Sequence, residues 1–137
     1  MYNIKKNFGF GCMRLPMIDG EVDQRQFSEM VDTFLEAGFN YFDTAYVYEG
    51  SEEAIRQTLV EKYPRDVYTL ADKLPAWKLT CQEDVERIFQ ESLNRTGVDY
   101  FDFYLLHSVE KSHYPTYEKY QCFDFIQEMK KQGKIKY

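Results

Sequence analysis

Long apolar runs are missing from this sequence. No stretch approaches the roughly 18 apolar residues that cross a bilayer, and the amino-terminal MYNIKKNFGFG holds no apolar core of a secretory leader. A basic excess is missing too: 23 Asp and Glu outnumber 17 Lys and Arg, for a formal net charge of −6. Neutralising phosphates needs a basic face, so neither nucleic acid nor an anionic membrane is an expected partner. Cysteine is scarce, with Cys12, Cys81 and Cys122 showing no CxxC and no ligand-like spacing. Neither a metal site nor a disulfide framework is expected; the three read as buried thiols in a reducing cytoplasm. No Pro-, Gly- or Ser-rich linker divides the 137 residues, so residues 1–137 are expected to form one domain.

What the chain does hold is a moderate core and many rings. Hydrophobic residues make up 44% and aromatic residues 18%, mostly Tyr and Phe, which suits broad packed surfaces whose hydroxyls need partners when buried. Short β-branched and aromatic runs at Asn40–Phe42, Val67–Ala71, Tyr100–Leu106 and Lys134–Tyr137 recur about every thirty residues, the size of a βα unit. An earlier strand is expected near Phe8–Cys12. Between the strands lie helical stripes: Phe27, Met30, Val31, Phe34 and Leu35; Ile55 and Leu59; Val85, Ile88, Phe89, Ser92 and Leu93; and Cys122, Phe125, Ile126 and Met129. The Met and Phe positions on the helices, Phe123 among them, are expected in the core. The last stripe implies one helix from about Pro115 to Gln132, ending in a solvated charged run from Glu128 to Lys136. Gly38, Gly97 and Gly133 sit where left-handed C-terminal caps belong. Thr80 with Glu83 reads as a capping box, and the Ser51 hydroxyl as the cap of the next helix. Strands alternating with helices imply an α/β fold with a parallel sheet, either an open doubly wound sheet or part of a (β/α)8 TIM barrel.

Three ionisable residues sit at the carboxyl ends of successive expected strands: Asp43, Lys73 and His107. Parallel pairing brings all three to one rim, where α/β proteins build their sites. Tyr48 lies in the loop after Asp43 and can fold over the same rim. A phenol is a poor acid near neutral pH, and a neighbouring ammonium such as Lys73 favours its ionised form. Asp43 can keep Lys73 charged and aimed, and His107 can hydrogen-bond a carbonyl oxygen. This set suits carbonyl reduction, with the hydride from a nicotinamide, because no side chain supplies one.

Phe10-Gly11-Cys12-Met13-Arg14-Leu15-Pro16, Phe42-Asp43-Thr44-Ala45 with Tyr48, Ser51-Glu52-Glu53, Asp72-Lys73 and Leu105-Leu106-His107-Ser108 together resemble the aldo-keto reductases in order and spacing. The resemblance covers essentially the whole chain. It implies that Tyr48 is the general acid, that Asp43 and Lys73 tune it, and that His107 orients the carbonyl of a small aldehyde or ketone. NADPH or NADH is the implied cofactor. The Gly-Cys-Met-Arg-Leu-Pro variant is similar to a bacterial branch whose members often carry a C-terminal iron–sulfur domain. A complete barrel takes about 250 residues, so the expected fold is the N-terminal half of one, truncated at the fifth strand. In the family most nicotinamide and adenosine contacts come from the later half. A half barrel also leaves open edges and an apolar inner face, which predicts self-association.

Bland readings stand beside these. Asp43 alone is a helix-leading acid and Lys73 alone a loop cation; the alignment of both with His107 and Tyr48 favours the site. Met13 and Arg14 are placed to approach a nicotinamide, although Arg14 equally suits a structural ion pair. Trp77 is either a wall of the substrate pocket or a loop anchor, and His113 reads as a solvated surface residue.

Overall fold

The computed structural model describes residues 3–137; Met1 and Tyr2, the start of the segment read for a leader, lie outside the described residues. Strands β1 (Gly9–Gly11), β4 (Tyr41–Asp43), β5 (Thr69–Pro75) and β6 (Phe103–His107) form a parallel sheet in that order. A short antiparallel hairpin, β2 (Met17–Ile18) with β3 (Glu21–Val22), leaves the end of β1. Helices α1 (Gln24–Glu36), α2 (Ser51–Ile55), α3 (Glu83–Thr96), α4 (Tyr114–Lys119) and α5 (Cys122–Lys131) alternate with the strands. The architecture is α/β, as expected, and covers part of a barrel.

Alternation along each strand divides the sheet into two faces. Phe42, Leu70, Leu74 and Tyr104 are buried on one face, where Phe27 and Phe34 of α1 meet Phe10 and Phe42, and Phe89 of α3 meets Tyr104 edge-on at 4.9 Å. The opposite face is the inner wall of the partial barrel. Tyr41 packs against Phe103 across it, and Leu105 is 40% exposed.

Residues 134–137 do not form a full strand, but they begin a fifth. Phe101 and Ile135 make a parallel bridge, and Asp102 accepts the Tyr137 N–H at 2.9 Å. The Asp102 carboxylate fastens this start from below, taking Arg65 at 2.6 Å, Lys136 at 3.2 Å and the Leu70 N–H at 2.9 Å. Lys136 is thus part of an ion cluster and not simply a solvated charge.

The last helix is two helices. Gln121 takes a left-handed φ of 49° and breaks the run, because the two halves face different targets. The Tyr117 hydroxyl of α4 reaches the sheet, accepting the Ala76 N–H at 3.1 Å and meeting the carbonyls of Leu74 and His107 at 2.9 and 2.6 Å; Cys122 and Met129 of α5 are buried in the core. The expected caps are corrected as well. Asp84, not Glu83, takes the Thr80 N–H and hydroxyl, each at 2.7 Å, and the Cys81 N–H. Ser51 spends its hydroxyl on Thr44 at 2.8 Å, while Gly50 stands at the cap of α2. Helix α2 runs on into one π turn, Arg56–Val60. Gly38, Gly97 and Gly133 all have positive φ. Not every expected core residue is buried: Met30, Phe123 and Cys81 are exposed. Among the described residues no helix is long and apolar enough to cross a membrane.

Candidate active site

Asp43 and His107 are the last residues of β4 and β6, and Lys73 lies inside β5, two residues before its end. The strands run further than their apolar runs suggest, so all three belong to strands and do not follow them. Register fixes their heights: Asp43 stands opposite Ala71, Lys73 opposite Leu105 and His107 opposite Pro75. All point to the inner wall, because Asp43, Lys73 and His107 share the parity opposite to buried Phe42, Leu74 and Tyr104.

The Lys73 ammonium makes three contacts: 2.5 Å to Asp43 Oδ1, 2.7 Å to the Thr44 carbonyl and 3.3 Å to the Tyr48 hydroxyl. It also lies 4.7 Å from the Tyr48 ring centre. The side chain of Lys73 is 12% exposed and that of Asp43 30%, so the pair is partly shielded and its attraction exceeds that of a surface pair. The Tyr48 ring meets the His107 ring edge-on at 5.8 Å. Asp43, Tyr48, Lys73 and His107 are therefore one cluster.

Backbone and hydroxyl contacts hold the loop that carries Tyr48. Thr44 N–H donates to Ala71, Tyr48 N–H to Ala45, and Ser51 N–H to the Tyr48 carbonyl at 3.0 Å. The buried Thr44–Ser51 hydroxyl pair closes the loop across its base. Thr44, Ser51 and Tyr117 position the site yet carried no chemical mark in the sequence beyond the first two standing in motif segments.

Burial holds the His107 imidazole below the usual histidine range, and the nearby Lys73 charge adds to the effect. Its Nδ1 is buried and has no partner among the described residues. Ser108, directly after it, adopts a left-handed φ of 54°, an uncommon conformation for serine. The Ser108 carbonyl meets His113 Nδ1 at 2.8 Å. His113 is not a solvated surface residue: its ring packs on Trp77 at 5.0 Å, and Trp77 packs on His107 at 5.0 Å. Trp77 thus stands beside the cluster. Met13 and Arg14 follow β1 at the same rim, both exposed, and Arg14 makes no ion pair among the described residues. Cys12, just behind Asp43, is buried, which pushes its thiol well up and out of reach of ionisation.

The model of the aldo/keto reductase family matches residues 7–137. The chain belongs to the aldo/keto reductase family. Aldehyde reductase YPR1 of Saccharomyces cerevisiae is 34% identical over 99 residues, which are 72% of this chain and 28% of that protein. The NAD/NADP-dependent indole-3-acetaldehyde reductase of Schizosaccharomyces pombe is 34% identical over 113 residues, 82% of this chain and 36% of that protein. Among solved structures, a thermostable aldo-keto reductase in complex with epalrestat superimposes with a TM-score of 0.72 at 22% identity, over 98% of this chain and 50% of its own. The aldo-keto reductase of Klebsiella pneumoniae, crystallised with NADPH, gives a TM-score of 0.69 at 25% identity, over 93% of this chain and 42% of its own. The chain therefore spans about a third of the curated relatives and about half of the solved structures it matches.

Proposed function

We propose that residues 1–137 form the catalytic half of an NAD(P)H-dependent reductase that converts small aldehydes or ketones to alcohols. The observation that carries this reading is the triple contact of Lys73 with Asp43, Thr44 and Tyr48. The cofactor, when bound, supplies the hydride. Tyr48 is the general acid and gives its phenolic proton to the substrate carbonyl oxygen, which becomes the alcohol hydroxyl. The Lys73 ammonium, held by Asp43, hydrogen-bonds the phenolate oxygen that remains, and solvent then gives that oxygen back its proton. His107, kept neutral, donates one N–H to the same carbonyl oxygen and orients it. Trp77, standing on His107, walls the substrate side.

The rim fits the nicotinamide end of such a cofactor. Asp43 stands half-buried on the inner wall, Met13 is exposed at the same rim, and Arg14, without an ion pair among the described residues, offers a cation. Free Cys12, Cys81 and Cys122 suit a reducing cytoplasmic setting.

A second reading has its own support. Among the described residues the outer edge of β1 is unpaired, and beside it Phe10, Met30, Phe34 and Phe39 line an apolar groove of about 520 Å³. With Leu105 exposed and Tyr41 and Phe103 only half-buried on the inner wall, this favours a half barrel that self-associates or is catalytically silent until a complementary half covers it.

The test is aldehyde-dependent NADPH oxidation by the chain alone and by the chain mixed with the carboxyl-terminal half of a family relative. Turnover in either supports the reductase reading. Turnover only in the mixture selects the second reading for the isolated chain, and no turnover in a mixture that forms a folded complex would sink the reductase assignment.

A further inference from the structure

Beneath the rim, on the helix-covered face of the sheet, lies an acid pair that the catalytic cluster does not use. Asp72 is completely buried and Glu52 is 1% exposed. Asp72 Oδ1 accepts the Lys73 N–H at 2.7 Å, and Glu52 Oε2 accepts from Arg95 at 3.1 Å. Thr44 ties their two elements together, bonding Ser51 through its hydroxyl and Ala71 through its N–H, and the Glu52 carboxyl is close enough to bear on the Asp72 proton. Their remaining oxygens, Asp72 Oδ2 and Glu52 Oε1, are buried, and neither meets a donor among the described residues.

The charges around the pair do not balance. Helix α3 contributes one guanidinium, Arg95, which Glu53 and Glu91 also engage at 3.7 and 3.5 Å, while Lys73 directs its ammonium to the other face of β5. Tyr104 of β6, Tyr117 of α4 and Cys122 of α5 face the region as neutral groups, with burial raising each of them. Two carboxylates against one guanidinium leave a negative charge in a low-dielectric core, a costly arrangement. Two facing acceptors without a donor are satisfied by one proton, which forms a charge-assisted O–H···O bond. Asp72 is its better holder, because Glu52 already has Arg95. Burial, then the charge of Glu52, raises the affinity of Asp72 for a proton well above that of an ordinary carboxylate.

We propose that Asp72 and Glu52 share one proton at neutral pH and act as a clasp that holds the strand of Lys73 against the helix following Tyr48. Asp72 directly precedes Lys73, and Glu52 follows Ser51, whose N–H bonds the Tyr48 carbonyl. The clasp therefore joins the two elements whose separation sets the 3.3 Å between Lys73 and Tyr48. Asp72 is a positioning residue. Losing the proton leaves two carboxylates side by side, and their repulsion drives α2 from β5. The consequence for catalysis rests on the roles proposed for Tyr48 and Lys73; the proton does not.

The experiment is infrared spectroscopy of the folded protein at pH 7, unlabelled and with carboxyl-¹³C aspartate. A protonated-carboxyl C=O band that shifts with the label, and is absent from Asp72→Asn, is expected. The pH dependence of stability gives a second readout. Folded Asp72 binds its proton more tightly than unfolded Asp72, so the wild type loses stability as pH rises above the unfolded value, up to the folded one. Asp72→Asn keeps a donor and has nothing to titrate. The unfolding constant of the wild type relative to the variant should rise by roughly tenfold per pH unit in that window. Absence of the band in wild-type protein that circular dichroism finds folded would overturn the proposal, as would its persistence in Asp72→Asn. The labelled wild-type spectrum decides even if the variant does not fold. No turnover is measured, so failure here and failure of the reductase reading are separate results.

Discussion

The Lys73 ammonium lies 3.3 Å from the Tyr48 hydroxyl, although 25 residues separate them. One is fixed by strand register and the other by a loop pinned through Thr44 and Ser51. A substitution that keeps the strand and removes the charge should spare the fold and stop the chemistry. In Lys73→Met, kcat in aldehyde-dependent NADPH oxidation by the assembled enzyme should fall by roughly two to four orders of magnitude, with an unchanged circular dichroism spectrum.

His107 should titrate below the ordinary histidine value of 6.5, because burial and then Lys73 oppose its imidazolium. A depressed histidine binds its proton less tightly when folded, so the fold should lose stability as pH falls through 6.5 toward the folded value. NMR titration of the His107 ring protons checks this; a midpoint at or above 6.5 contradicts it.

Asp102 should matter out of proportion to its distance from the rim. Asp102→Ala strips Arg65 and Lys136 of a partner and leaves the Leu70 N–H without an acceptor. Because Lys136 is half exposed, the cost should be about 2 kcal/mol, below that of a fully buried pair. Urea denaturation measures it, and amide exchange should show residues 134–137 opening first.

His113→Ala should free one face of Trp77, which His113 and His107 now flank at 5.0 Å each. The Trp77 emission should shift to the red with helix content unchanged. An emission spectrum identical to the wild type would show that His113 does not hold the indole.

Much of this was legible before the structure. Parity and strand ends brought Asp43, Lys73 and His107 to one rim, because a parallel sheet leaves little choice once the strands are placed. The glycines marked the ends of α1, α3 and α5 for the same local reason. Other features needed three dimensions. The hairpin of β2 and β3 turns on Asp19-Gly20, both with positive φ, a strong type I′ signal that short apolar flanks obscured. The break at Gln121 has no sequence mark, since it follows from Tyr117 reaching for the ends of β5 and β6. His113 appeared solvated in a polar turn; only the fold brings Trp77 under it. Asp72 and Glu52 come from separate elements, β5 and α2, and neither neighbourhood hints at the other.

Tyr48→Phe tests the central claim most directly, by removing one oxygen and leaving the ring against Lys73 and His107. In the assembled enzyme, kcat for aldehyde reduction should fall by at least about a hundredfold, while NADPH still quenches Trp77 with wild-type affinity. Undiminished turnover would mean that the proton reaches the carbonyl from elsewhere and that the phenol is not the acid.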